Sequence, residues 1–403
     1  MLKTYNISGQ NVAITYRPNK TRNMISEIRV NRVHLYHLIT NPIIRNGNII
    51  FNQNVWTVTT TIFETIKQMK MAGNNKLAVH TADYLFNRFA GIYKKYRDKK
   101  LIIHSAHVIT QLLEKIWSWE TANFPAKIHK GTPFYFLADS FAKMGDWDSA
   151  FTFVFNSISQ DKLAFINTSR PLNYKKSPAY MYATLVNNKH NFFYEPHIKD
   201  IRKWLIANLF EYRKFSGINL SYKDFESKFL RNDDLEEIVF LFVYQIQYIL
   251  RNPLKITSLR DNAFNRLRNL NMLFTLCLIV DKVLEYRYRS LPMEKRKSLG
   301  KNMFNFFNEK NWLNGEKNSS AICQTLLEGG TDFHRNPNLI IPKILSGNII
   351  YHWNLILEET GPLLMVWYLR NYGAHKMKGQ RILISEFPNI IKFVIYALFS
   401  SLQ

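Results

Sequence analysis

Arg370, Asn371 and His375 stand together where a long apolar run near the C-terminal end of the 403-residue chain gives out. An arginine offers phosphate oxygens a fixed positive fork, and a histidine changes charge near neutrality. The pair therefore suits cleavage of a phosphodiester by its own neighbouring 2′-hydroxyl. That chemistry calls for no metal and no cofactor. In it His375 is general base or acid at the 2′-oxygen or the 5′-leaving oxygen, Arg370 stabilises the charge building on the phosphoryl oxygens, and Asn371 orients one of them. Residues five apart on an ideal helix point well away from each other, so Arg370 and His375 converge only if the helix loosens between them. Gly373 is expected to give that freedom, since glycine takes left-handed backbone angles without penalty.

Spacing alone is a weak signal, because the same arginine, four residues, histidine pattern occurs from Arg29 to His34 and from Arg32 to His37. Valine follows the arginine in both, and no apolar helix leads in. Arg370-Asn371-Tyr372-Gly373-Ala374-His375 has a polar second residue and an apolar approach, and this fuller pattern resembles the motif of the HEPN superfamily of ribonucleases and RNA-binding helical bundles. The plain alternative is a helix C-terminus whose cations complement its dipole. The resemblance implies a metal-independent endoribonuclease acting on tRNA or mRNA, of the kind found as a toxin or antiviral defence effector. It also implies a homodimer in which two motifs face each other across a symmetric interface. Where some HEPN toxins carry a modified tyrosine two residues after the histidine, this chain has Met377, so regulation by that route is not expected. A rival reading keeps the bundle as a non-catalytic RNA-binding or scaffolding protein acting in a complex.

The helix that delivers the motif starts at Gly361-Pro362 and is apolar from Leu363 to Leu369. Such a helix belongs in a core or an interface, and its all-round apolar surface suggests a cover from outside its own bundle. Upstream, Arg260 to Ser290 reads as one long helix with a stripe at Leu267, Leu270, Phe274, Cys277 or Leu278, Asp281 and Leu284. An acid has taken a core position. HEPN bundles open with a long helix against the motif helix, some with an acid on it. By that resemblance Asp281, with Glu285 one turn on, holds Arg370 in place. The alternative ends the stripe at Cys277 and sends Asp281 to solvent. Met293 to Phe307 is a second helix, Gly329 to Pro342 a loop carrying His334-Arg335, and His352 to Leu369 leads into the motif. Pro388 to Leu402 then closes a bundle spanning 255–403.

Lys376, Lys378 and Arg381 just past the motif are the expected RNA contacts. Lys94 and Lys95 join them from Tyr93-Lys-Lys-Tyr-Arg-Asp-Lys-Lys100, where bases could stack on rings beside phosphate-binding cations. A solvated helix end explains that cluster equally well taken singly, as it does Tyr174-Lys-Lys176.

The rest of the chain reads as all-α, mainly, with short strands permitted in residues 1–57 around Asn11–Tyr16 and Asn48–Val58. His34 and His37 have the helical spacing of metal ligands, but no third ligand accompanies them. Residues 58–250 read as repeated amphipathic helices, beginning with Ile62–Met71, Leu77–Tyr96 and Ala106–Trp119. Pro133 to Ile158 resembles one tetratricopeptide repeat, with Leu137, Ala138 and Phe141 packing on the first helix, Gly145 at the turn, Trp147 after it, and Ala150 and Ser157 as small contacts on the second. The usual closing proline is missing, with Lys162 near its place. A concave surface for a protein or ligand trigger is what such hairpins imply; an ordinary helical domain is the alternative. The break at Arg251-Asn-Pro-Leu254 is the expected boundary.

A net charge of +24 draws this surface toward polyanions, nucleic acid before all others. Cys277 and Cys323 form no metal or redox spacing, which suits a reduced cytosol. The N-terminus lacks the apolar core of a signal peptide, and the longest apolar runs are too short for a bilayer, so a cytoplasmic protein with no membrane contact is expected.

Overall fold

The computed structural model describes the backbone of six strands between residues 2 and 50, Gly73, and residues 129–167, 173–186, 195–251, 263–310, 337–347, 350–351, 354–355, 360–375 and 380–403. The chain divides into two compact units, Met1–Met181 and Tyr182–Gln403.

In the first unit β1 (Leu2–Ile7), β2 (Gln10–Asn19), β3 (Met24–Val30) and β4 (Val33–His34) form an antiparallel meander, and β5 (Ile43–Arg45) pairs with β6 (Asn48–Ile50). The register slips between Arg17 and Pro18, as expected where a proline has no N–H to give the ladder. Arg29 and His34 face each other across β3 and β4, so helical spacing does not apply to His34. His37, and the helices expected over 62–119 with Lys94 and Lys95, lie outside the described residues.

A helical hairpin follows, α1 (Gly131–Lys143) and α2 (Trp147–Asn167). Leu137, Ala138, Ala150 and Val154 are buried between the two helices, where small residues let them approach. Phe134 and Phe141 stack on Phe153, with ring centroids 5.9 and 5.4 Å apart. Gly145 makes the turn at φ +81°, an angle that side chains with a Cβ rarely adopt. Ser157 Oγ donates to the Gly131 carbonyl at 2.8 Å, tying the far end. Residues 131–167 thus form one helical hairpin.

The second unit is built on α3 (Glu195–Ser216), α4 (Glu236–Arg251), α5 (Ala263–Arg287), α6 (Leu299–Glu309), α7 (Pro337–Leu345), α8 (Gly361–His375) and α9 (Phe387–Ser401). The long α5, the motif helix α8 and the last helix α9 pack on one another as its centre. Asn269 Nδ2 donates to the Leu383 carbonyl at 2.9 Å, and an Arg287 N–H donates to the Ser401 carbonyl at 3.1 Å, fixing both ends of α5. The expected boundary near 251–254 falls inside this unit. Helix α3 joins it through Tyr212, whose ring lies 5.3 Å from Tyr396 and whose hydroxyl is 2.9 Å from Ser400 Oγ.

One local expectation is corrected. Residues 337–342, read as the end of a loop, open helix α7, with Ile340, Ile341 and Ile344 inward at helical spacing. Before α8, β7 (Ile350–Tyr351) and β8 (Asn354–Leu355) pair as a small hairpin.

Candidate functional site

Glycine at 373 does something other than loosen the motif helix. Helix α8 runs unbroken from Gly361 to His375, and Gly373 keeps a helical φ. A Cβ built there would lie 2.7 Å from Phe274 Cδ2 on α5. No side chain fits in that gap, so Gly373 is what lets the two helices touch at the level of the motif. The expected left-handed turn is therefore absent. Along a continuous helix, positions 370 and 375 are about 140° apart around the axis.

The close approach brings α5 and α8 together where Asp281 and Arg370 stand. Arg370 Nε lies 3.2 Å from Asp281 Oδ2, with the two side chains 33% and 13% exposed. The contact is a charge pair more than an aligned hydrogen bond, because the Nε–H has no acceptor in good geometry. Burial pushes the Asp281 carboxyl above the usual carboxylate range, and the Arg370 guanidinium only partly offsets this. The alternative in which Asp281 reaches solvent is thus overturned: its side chain is 13% exposed on a stripe whose Leu270, Cys277 and Leu284 are buried, although Leu267 at the start of that stripe is exposed. Cys277, one turn before Asp281, is fully buried and its thiol is held well above its ordinary pKa.

Glu285 does not share this role. It pairs instead with Lys282 at 2.7 Å and Arg296 at 3.8 Å. Asn371 also differs from expectation, since its Nδ2 donates to the Trp367 carbonyl of its own helix at 2.9 Å. Tyr368 and Tyr372 stack beside it, centroids 6.0 Å apart, and both are buried. His375 ends the helix; Arg381, exposed, follows on the next turn of chain. Lys376, Lys378 and the loop residues His334 and Arg335 lie outside the described residues.

Residues 361–369 are buried along their whole length by α5, α6, α7 and α9. The apolar surface of α8 is therefore covered within its own unit, and it leaves nothing that calls for a second copy. The sequence places Phe274 on the α5 stripe but does not link it to Gly373, whose immediate neighbours say nothing of the helix that will meet it. Among the described residues, no helix is long and apolar enough to cross a membrane. Comparison with protein-family models, with curated proteins and with solved structures finds no match to this chain.

Proposed function

We propose that the protein is a metal-independent endoribonuclease with Arg370 and His375 as its working pair. The observation that carries the reading is the setting of Arg370. An arginine one-third exposed at the end of a buried helix, braced by a largely buried aspartate on the neighbouring helix, is a preorganised cation for an incoming phosphate. Asp281 is then a positioning residue, and Arg370 the cation it holds for substrate. The +24 charge supports a polyanionic substrate.

Because positions 370 and 375 diverge on one helix, the reading works best with two motifs brought to one phosphate, the histidine from one copy and the arginine from another. Mixing inactive His375→Ala protein with wild type tests this. A composite site loses activity more steeply than the fraction of mutant chains, whereas linear loss with a monomeric mass rejects it. One observation favours a second reading, a non-catalytic RNA-binding protein: the amide donor of Asn371 is committed to its own helix.

Labelled tRNA and mRNA incubated with the purified protein in EDTA separate the two. Cleavage leaving a 2′,3′-cyclic phosphate and a 5′-hydroxyl is expected, since attack by the internal 2′-oxygen leaves no other pair. A 5′-phosphate end, or a strict need for Mg²⁺, rejects the assignment.

A further inference from the structure

The seam between α5 and α8 does not close over at the level of the ion pair. Asp281 meets Arg370, and Phe274, two turns earlier on α5, meets Gly373, one turn later on α8, so the two helices run antiparallel. Phe274, Leu278 and Asp281 follow one another at i, i+4 and i+7 on a single face of α5, and none of the three is wholly buried. Across the seam Arg370 is half-buried and Ala374, four residues on, is exposed. The open line is therefore apolar at Phe274 and Leu278 and positive at Arg370, with two small residues, Gly373 and Ala374, opposite the ring.

These two apolar side chains differ from their neighbours on α5. Leu273, Leu276, Cys277 and Val280 are buried, whereas Phe274 and Leu278 keep part of their surface in water. Among the described residues, the Phe274 ring lies against Gly373 and stacks on no other aromatic ring. Covering the open part of both side chains is favourable, and a flat ring laid on them does so while stacking. Seven residues of α5 separate Phe274 from Asp281, about 10 Å along the axis, a length that one or two nucleotides of a single strand cover. The charges at the Asp281 end suit a phosphate: Arg370, Lys282 and Arg296 stand against Asp281 and Glu285, which leaves one positive charge in excess.

We propose that Phe274 and Leu278 form a base-stacking subsite, which holds a purine of single-stranded RNA beside the phosphate at Arg370. The inference deepens the nuclease reading and rests on it in one respect, that Arg370 takes a phosphate. Neither side chain carries a hydrogen-bonding group, so the subsite sorts bases by the size of their rings rather than by their polar edges. A bicyclic purine covers more of the strip than a pyrimidine does. The specificity that follows is for a purine beside the cut, with adenine and guanine accepted alike.

Short 2′-O-methyl strands test it with the purified protein, because without a free 2′-hydroxyl they cannot be cut by internal attack and report binding alone. A strand carrying 2-aminopurine, whose fluorescence falls on stacking, should be quenched by the wild type and bind about fivefold more tightly than an oligouridylate. Phe274→Leu keeps an apolar side chain against Gly373. It should remove most of the quenching and weaken the purine strand about fivefold, but the oligouridylate by no more than about twofold. Phe274→Tyr, which keeps the ring, should bind as the wild type does. Ala374→Leu, at an exposed position, should crowd the strip and weaken the purine strand without moving the urea unfolding midpoint, so the test stands even if Phe274→Leu misfolds. Arg370→Ala should weaken both strands alike. Equal losses for the two strands in Phe274→Leu, no loss in either Phe274→Leu or Ala374→Leu, or no quenching by the wild type overturns the proposal. Cleavage of ordinary RNA in EDTA is scored separately: purine-selective binding without a cut keeps the subsite and rejects the nuclease, whereas cutting with no difference between the strands keeps the nuclease and rejects the subsite.

Discussion

The helical hairpin α1–α2 and the helix pair α5–α8 use the same two devices, a buried aspartate paired to a cation and a glycine at the contact, yet the devices mean different things. In the hairpin Asp139, 1% exposed, pairs with Lys143 one turn along its own helix. In the helix pair Asp281 reaches across to Arg370 on another helix. Burial raises both carboxyls above the ordinary range, and in each the paired cation pulls the other way. The local pair only neutralises an acid that the hairpin has buried. The long-range pair fixes a cation that is still one-third open to solvent. Gly145 is needed for its backbone angle, and a Cβ there would meet nothing within 4 Å. Gly373 is needed for space alone. On the proposed reading, the pair that holds an accessible cation in place from a distance is the one that serves function.

The largest expected effect sets the two cations against each other. Arg370→Ala should lower RNA cleavage by about 10²-fold or more, as removal of a preorganised charge at a reacting phosphate does. His375→Ala should abolish it. Lys143→Gln should leave the cleavage rate within twofold, roughly, while lowering the melting temperature. If Lys143→Gln cripples cleavage as Arg370→Ala does, the contrast between a structural and a functional pair collapses.

Next come the glycines. Gly373→Ala forces a methyl to 2.7 Å from the Phe274 ring, and should cost about 1–3 kcal/mol in urea unfolding while also misplacing Arg370 and slowing cleavage. Gly145→Ala meets no neighbour and pays only the left-handed backbone strain, about 1–2 kcal/mol, with cleavage unaffected. A Gly373→Ala protein that keeps full activity would mean that the close α5–α8 contact does not position the site.

A third test uses pH. Burial raises the folded pKa of Asp281 above its unfolded value, so the ionised carboxylate weakens the fold once pH has risen through the folded value, and that penalty disappears as pH falls below the ordinary carboxylate range. Arg370→Ala removes the offsetting charge, and should destabilise the protein by about 1–3 kcal/mol at neutral pH but far less in acid. Adding Asp281→Asn should restore the neutral-pH stability without restoring cleavage. An Arg370→Ala penalty that stays constant with pH would mean that the pair carries no linked proton.

The smallest effect is expected for Glu285→Gln. Its partners Lys282 and Arg296 are surface groups, and exposed pairs of this kind contribute roughly 0–1 kcal/mol. Cleavage should be unchanged.

Much of this molecule was legible in its residues. The apolar periodicity of 260–290 and 388–402 announced the helices found at 263–287 and 387–401, because burying one face requires apolar residues at helical spacing. Gly145 between two apolar helices announced the turn. The acid on the α5 stripe was visible, but its partner Arg370 came only from the resemblance to HEPN bundles, and the stripe itself left Asp281 free to reach solvent. The second unit's extent was not legible: the Arg251-Asn-Pro-Leu254 break looked like a domain edge, whereas Tyr212 on α3 packs against Tyr396 and Phe399 on the last helix. Chain breakers mark the ends of elements, not which elements share a core.

What the sequence determined by itself was therefore local: helices, the hairpin turn, the surplus of positive charge, and an arginine placed where an apolar helix runs out. What only the tertiary structure decided was proximity. The glycine at 373 has the same residue type as a helix terminator, and nothing in its immediate neighbours says otherwise; the Phe274 ring, brought up by a helix from far earlier in the chain, turns it into a spacer. The cluster of the Phe215, Phe393 and Tyr396 rings arises in the same way, because rings distant along the chain become one surface only when α3 and α9 pack. Backbone preference acts between near neighbours and can be read in order, while close packing acts between whatever the fold brings together.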